Sequence, residues 1–252
     1  MGHALITAGT SGLGRMVTEA FLKAGHKVTT TYRSNYGKAK EVMDNLTDYS
    51  ELLHIVRTDV TSKTDIENLV SEAVDHHGGI DFLVNNAGPF VFERKKLVDY
   101  TEDEWDEMMR GNLDAAFYLL KLTIPYMREQ RFGRIINYGF QGANSASGWL
   151  YRSAFATAKS GLVSLTKSIA FEEAEYHITS NMVCPGNIVG DMKESTILES
   201  RKIHDKTTPV GRSGTGEDIA RTILFLCDKD SDMITGSIFE ITGGLDVIHR
   251  YR

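Results

Sequence analysis

Short β-branched runs alternate with longer stretches of helical period through the chain, and this alternation limits the fold more than any other feature. His3 to Thr7 precedes a helical stretch from Gly12 to Ala24, Lys27 to Tyr32 precedes Tyr36 to Leu46, and Leu52 to Arg57 precedes Thr64 to His77. Strands that each hand over to a helix pair in parallel, because the crossover needs about a dozen residues, and the helices then cover both sheet faces. The pattern continues with Asp81 to Asn85, one long helix from about Glu102 to Met127, Arg134 to Tyr138, a helix ending near Ala174, Thr179 to Cys184, and a last strand from Ser237 to Ile241. Thr101 with Glu104, and Thr215 with Asp218, mark helix starts by the capping-box pattern. The expectation is an α/β protein with a doubly wound parallel sheet of about seven strands and helices on both faces, in a single domain over residues 1–252.

Composition removes several classes of function. With 28 Lys and Arg against 34 Asp and Glu the net charge is −6. The densest basic run, Arg94-Lys95-Lys96, is short, so no nucleic-acid partner is expected. No window approaches about 18 consecutive apolar residues, and the start of the chain lacks signal-peptide character, so neither a membrane span nor secretion is expected. Cys184 and Cys227 have neither metal nor CxxC spacing; a reducing, cytoplasmic setting suits them, and neither is read as catalytic.

The first strand runs directly into Thr7-Ala8-Gly9-Thr10-Ser11-Gly12-Leu13-Gly14 and then a helix. Glycines in that place allow a tight turn and close backbone approach to a pyrophosphate, which the helix N-terminus attracts through its unpaired N–H groups and dipole. About twenty residues further on, an NAD site carries an acid for the ribose 2′-hydroxyl. Here the sequence reads Tyr32-Arg33-Ser34-Asn35. A guanidinium beside a hydroxyl suits a 2′-phosphate, so NADP(H) is expected over NAD(H).

Further motifs follow in order: Asp59-Val60 after the third strand, Asn85-Asn86-Ala87-Gly88 after the fourth, Asn112, Lys159, Asn-Met-Val-Cys-Pro-Gly from Asn181 to Gly186, and Ile234-Thr235-Gly236. Over nearly its whole length the chain resembles the short-chain dehydrogenase/reductases, and among them the 3-oxoacyl-[acyl-carrier-protein] reductase type. The resemblance implies a Rossmann-type domain with its substrate pocket built from C-terminal loops, and a nicotinamide-dependent oxidoreductase. It implies that Gly9, Ser11, Gly12, Leu13 and Gly14 cradle the cofactor with Arg33 and Ser34. Asp59 and Val60 would border the adenine, Asn86, Ala87 and Gly88 would shape the groove, and Pro185, Gly186 and Ile188 would lie against the nicotinamide. Lys159 would hold the nicotinamide ribose, and Asn112 a water in a proton relay. Relatives assemble as dimers or tetramers, so a homo-oligomer, with a homotetramer as one form, is expected.

The sequence departs from the family pattern at the chemical step. The motif Tyr-x-x-x-Lys begins here with Phe155, and the partner serine is matched by Gly139-Phe140. Gly190 stands where a threonine often follows the Pro-Gly segment, and Ala8 where the loop often has glycine, a residue strained if φ is positive there. A positioned general acid is worth about 10²- to 10⁴-fold, so its loss slows hydride transfer without forbidding it. Tyr151, Phe155 and Lys159 share a helical stripe if the helix begins that early, so Tyr151 is either a replacement acid or an aromatic at the mouth of the pocket with no chemistry. Tyr138, Asn144, Ser145, Ser147 and a water held by Lys159 and Asn112 are weaker candidates.

If the family layout holds, Phe90, Phe92, Tyr138, Phe140, Trp149, Tyr151, Phe155 and Met192 line a pocket for an apolar or aromatic, planar carbonyl compound. Acyl carrier protein is a doubtful partner, because Phe171-Glu172-Glu173-Ala174-Glu175-Tyr176 is acidic where a basic docking face is needed; Arg128, Arg131 and Arg134 favour it. The expected activity is NADP(H)-dependent carbonyl or enone reduction, and the alternative is a weakly catalytic or inactive NADP(H)-binding sensor or scaffold.

Overall fold

The structure, a computed structural model, describes residues 1–90 and 93–248. Seven strands form one parallel sheet: β1 (His3–Ile6), β2 (Lys27–Tyr32), β3 (Leu53–Arg57), β4 (Phe82–Asn85), β5 (Gly133–Tyr138), β6 (Ile178–Pro185) and β7 (Ile238–Ile241). Their order is β3-β2-β1-β4-β5-β6-β7. The sheet thus grows outward in opposite directions from the β1/β4 pair, and loops leaving the carboxyl ends of these two strands part to open a crevice.

Helices α1 (Gly12–Lys23), α2 (Tyr36–Asn45) and α3 (Lys63–His77) connect the first four strands. Alternation along each strand divides the core between the two faces. Ile6, Val84, Ile136 and Val183 pack with Val17 and Phe21 of α1 and with Ile219 and Ile223 of α8 (Gly216–Cys227). Leu5, Leu83 and Ile135 face the other way, onto Ile66 and Leu69 of α3 and onto Leu119 and Met127. Each such side chain contributes roughly 1.5–3 kcal/mol by leaving water.

The long helix expected from Glu102 to Met127 is interrupted. α4 (Glu102–Met109) passes through a widened π turn (Arg110–Asp114) into α5 (Ala115–Gln130). The Asn112 carboxamide causes a local competition, since its Nδ2 donates to the Met108 carbonyl at 3.1 Å and to the Pro89 carbonyl at 2.9 Å. Gly111 lets the Pro89 ring press against this turn, where a Cβ would overlap it. α6 (Ser153–Glu172) begins two residues after Tyr151, and the short α7 (Ile197–Ser200) follows β6.

Arg134 of β5 is 2% exposed. Its guanidinium donates to the carbonyls of Gly133, His177, Asp228 and Lys229. Its charge therefore serves the fold and not a docking face.

Candidate active site

The loop after β1 is clamped by the loop after β4. Asn86 Nδ2 donates to the Thr7 and Ala8 carbonyls at 3.0 and 3.2 Å, while Thr7 Oγ1 accepts from the Asn86 and Ala87 amides at 3.1 and 2.9 Å. The Ala8 amide donates to Thr31 Oγ1 at 2.8 Å. Ala8 sits at φ +53°, so the strain expected for alanine is present, and the bonds on both sides of it hold it there. Gly14 leaves the space that a Cβ would take from the Ala8 carbonyl and the Asn86 carboxamide. Asn86 therefore fastens this loop, and it also lines the chamber that adjoins it.

Ser11 caps α1 without a side-chain hydrogen bond. The Gly12 amide instead donates to Glu194 Oε1 at 2.7 Å, and Arg15 Nη1 reaches Glu194 Oε2 at 3.2 Å. The positive end of α1 thus already takes an anionic group, as its dipole and exposed N–H favour. Glu194 lies 182 residues from Gly12, and nothing in the local sequence signals the pairing.

A cavity of about 160 Å³ is lined by Ala8, Thr31, Arg33, Thr58, Val60, Thr61, Ala87, Gly88 and Pro89. Arg33, Val60, Ala87 and Gly88 come together as expected. Arg33 is exposed, with Glu107 3.8 Å away. Ser34 is exposed next to it. Asp59 does not line this wall: its carboxylate accepts from the Thr61 amide and hydroxyl at 2.9 and 2.8 Å, closing its own turn. The threonines on the wall were missed by sequence reasoning, although the Thr29-Thr30-Thr31 run at the carboxyl end of β2 is a visible sign of a polar strand end.

Adjoining it, a chamber of about 460 Å³ runs from Ser11, Gly12, Leu13 and Gly88 past Asn112 and Lys159 to Phe90, Phe140, Trp149 and Phe155, with Pro185 and Lys193 on the wall. Phe140 and Trp149 stack at 5.4 Å between ring centres, and Phe90 stands edge-on to Phe155 at 5.0 Å. Lys159, 4% exposed, has its Nζ 5.7 Å from the centre of the Phe155 ring. Burial pushes its pKa down to about 8, with a smaller opposing contribution from the Cys184 thiol.

Behind Lys159 a pocket of about 10 Å³ is bounded by Thr7, Asn85, Asn112 and apolar neighbours, a size suited to about one water. The side-chain oxygens of Asn85 and Asn112 are buried there, with no hydrogen-bond partner among the described residues.

Several expected positions fall elsewhere. Tyr151 lies outside α6 at φ +63°, so the helical stripe does not include it; its ring sits under the Arg94 guanidinium at 4.8 Å, in a separate surface hollow with Lys96, Val98 and Asp99. Tyr138 does line the chamber, but its hydroxyl is buried without a partner among the described residues, and burial raises its pKa. Asn144 accepts from Lys167 Nζ, Ser147 Oγ donates to the Gly142 carbonyl, and Ser145 is exposed. Met192 and Ile188 pack on the α1/α8 core, and Gly186 against Thr242. Phe92 lies outside the described residues.

A larger cavity of about 660 Å³, walled by Phe21, His26, Phe82, Phe132 and Phe225, opens at the opposite, amino ends of the strands. The switch point, the anion-binding helix end and Lys159 all lie at the carboxyl ends, which makes that end the functional one.

A family model described as enoyl-(acyl carrier protein) reductase matches residues 7–246. The chain belongs to the short-chain dehydrogenase/reductase family. It is similar to the Bacillus subtilis (strain 168) protein YtkK, named as an oxidoreductase, at 58% identity over 99% of this chain and 98% of that one. The 3-oxoacyl-[acyl-carrier-protein] reductase FabG of Haemophilus influenzae is 36% identical over 96% and 97% of the two chains. Among solved structures, one from Bacillus thuringiensis described as a 3-oxoacyl-reductase is 63% identical, with a TM-score of 0.94 over 99% of this chain and all of that one. A blue fluorescent protein from a metagenomic library, solved with NADPH, has a TM-score of 0.82 at 25% identity, over 98% of each chain. Membership in this family makes the chain an oxidoreductase of Rossmann-type fold. No helix among the described residues is long and apolar enough to cross a membrane.

Proposed function

We propose that this short-chain dehydrogenase/reductase is an NADP(H)-dependent reductase of an apolar or aromatic ketone, enone or 3-oxoacyl-like carbonyl, acting with an atypical proton donor. The observation that carries the reading is one continuous crevice that joins an anion-accepting helix end to Lys159 and Asn112. Residues 1–252 are read as one dinucleotide-binding domain. In this reading Gly9, Ser11, Gly12, Leu13 and Gly14 bear the pyrophosphate, with the Glu194 carboxylate marking the anion position. Arg33 holds the 2′-phosphate at the 160 Å³ cavity, with Ser34 exposed beside it and Val60 at the adenine side. The NADPH complex of the blue fluorescent protein supports the cofactor choice.

When bound, the cofactor supplies a hydride. Lys159 orients the nicotinamide ribose, Pro185 forms the wall beyond it with Gly186 and Ile188 packed behind, and Asn112 holds a relay water. Phe155 and Phe140 stand where the family resemblance expects a tyrosine and a serine. Together with Phe90 and Trp149 they exclude water and stack against a planar substrate.

An acyl carrier partner is disfavoured, because the arginines that would recruit it are engaged. Arg128 forks onto Glu173 with two bonds of 2.6 Å, Arg131 donates to the Glu175 carbonyl, and Arg134 is buried. A homo-oligomer is part of this reading through the family resemblance. A cytoplasmic location fits the buried free thiols.

The test is oxidation of NADPH and NADH over a panel of aromatic and aliphatic carbonyl compounds, with binding of each cofactor titrated in parallel. Turnover with NADPH bound more tightly than NADH is the expected result. Tighter NADH binding overturns the cofactor assignment, and NADPH binding without turnover leaves the sensor reading in its place.

A further inference from the structure

We propose that Lys159 is itself the proton donor to the substrate oxygen. The inference rests on the carbonyl-reductase reading and names the acid which that reading leaves open.

Acidic protons on the chamber wall are few. Ser11 and Lys193 belong to the end at the start of α1, where the Lys193 side chain passes 3.8 Å from the Cβ position of Gly12. The Tyr138 hydroxyl is sealed in the core. No carboxylate is among the described residues that line the chamber. Among the described residues that line the aromatic end, only Lys159 presents a titratable N–H, and its Nζ faces the Phe155 ring instead of an acid partner.

A lysine paired to a carboxylate stays protonated far above neutral pH and gives its proton up poorly. Lys159 has no such partner among the described residues, and burial brings its pKa to about 8, near the optimum for general acid catalysis at physiological pH. The titratable group acting on it is the Cys184 thiol of β6, itself pushed up by burial, while Tyr138 of β5, its hydroxyl buried, and Lys193, at the α1 end, line the same chamber. The polar pocket behind Lys159, with its unpaired Asn85 and Asn112 oxygens, provides a route for its proton to be restored.

The step balances. A hydride carries two electrons from the reduced cofactor to the carbonyl carbon. The carbonyl π pair moves to oxygen, an N–H bond of the ammonium breaks, and an O–H bond forms. The electron pair of that N–H bond remains on Nζ, and solvent returns one proton to the neutral amine. One ketone, one reduced cofactor and one proton give one alcohol and one oxidised cofactor.

The experiment is single-turnover hydride transfer at saturating NADPH from pH 6 to 10, for the wild type, Lys159→Arg and Phe155→Tyr, with Lys159 titrated independently by NMR of Nζ-labelled lysine. The wild-type rate is expected to be flat below pH 8 and to fall tenfold per pH unit above it, with the midpoint matching the Lys159 titration. Lys159→Arg is expected to lose about 10²- to 10⁴-fold in rate even when saturated, and Phe155→Tyr to move the rate midpoint away from that of Lys159. A rate that does not follow the Lys159 titration, or Lys159→Arg within a few-fold of wild type, overturns the proposal alone. Absence of NADPH binding or of any turnover in the wild type overturns the functional reading, and the proposal falls with it.

Discussion

Lys159 lies one helical turn beyond Phe155 on α6, with its ammonium 5.7 Å from the centre of that ring and no carboxylate lining the chamber among the described residues. The arrangement is costly to the fold. The unfolded lysine holds its proton to 10.5, whereas the folded one releases it near 8. Below pH 8 both states are protonated and the burial cost is fully present; it is relieved as pH rises from 8 to 10.5, where the unfolded state binds more protons. Lys159→Met should therefore stabilise the cofactor-free protein at pH 7, by at most about 3 kcal/mol. Thermal unfolding at pH 7 and pH 10 checks this, with the gain expected to shrink at the higher pH.

Glu194 and the cofactor pyrophosphate should compete for the first turn of α1, because the carboxylate already takes the Gly12 amide at 2.7 Å. Glu194→Gln should tighten NADPH binding about threefold to tenfold, matching roughly 1 kcal/mol for a charge at a helix end. Arg15 keeps Glu19 and Glu41 as partners in that variant. Weaker NADPH binding by fluorescence titration would assign Glu194 to supporting the loop instead.

Arg33→Ala should weaken NADPH about tenfold or more while leaving NADH within a factor of about two, since only the 2′-phosphate needs the guanidinium. Paired titrations decide it, and an equal loss for both cofactors would make Arg33 a general contact.

Acid should unfold the protein through the histidines at the amino ends of β1 and β3. His77 packs against His3 at 5.1 Å and His76 at 4.4 Å, near Lys27 and the stacked His54. Burial, then the neighbouring cationic groups, lower its pKa from 6.5 to about 4. As pH falls through 6.5 the unfolded state takes up a proton that the folded state refuses, so stability is lost between pH 6.5 and 4. His77→Asn should flatten that part of the stability curve in denaturant titrations; an unchanged slope would place the acid sensitivity elsewhere.

Alternation of strand and helix, the glycine loop, the caps at Thr101 and Thr215 and the arginine after β2 were all legible, because each depends on neighbours within a few residues. Lys159 and Asn112 were legible through the resemblance and do line one chamber. The break in the Glu102 to Met127 helix was not, because it depends on Asn112 reaching the Pro89 carbonyl from a distant loop. Tyr151 failed for a similar reason: its helical spacing to Phe155 has meaning only inside a helix, and α6 starts at Ser153.

What the sequence by itself determined is the parallel sheet, its covering by helices and the position of the glycine loop, since strand period, helix period and turn chemistry are local properties that repeat along the chain. Tertiary structure alone decided the electrostatics of the site. Glu194 meets Gly12 across 182 residues, and the Lys159 pKa is lowered by burial at a place where its Nζ faces the Phe155 ring. Desolvation and pairing depend on which distant surfaces meet, and no window of sequence contains both.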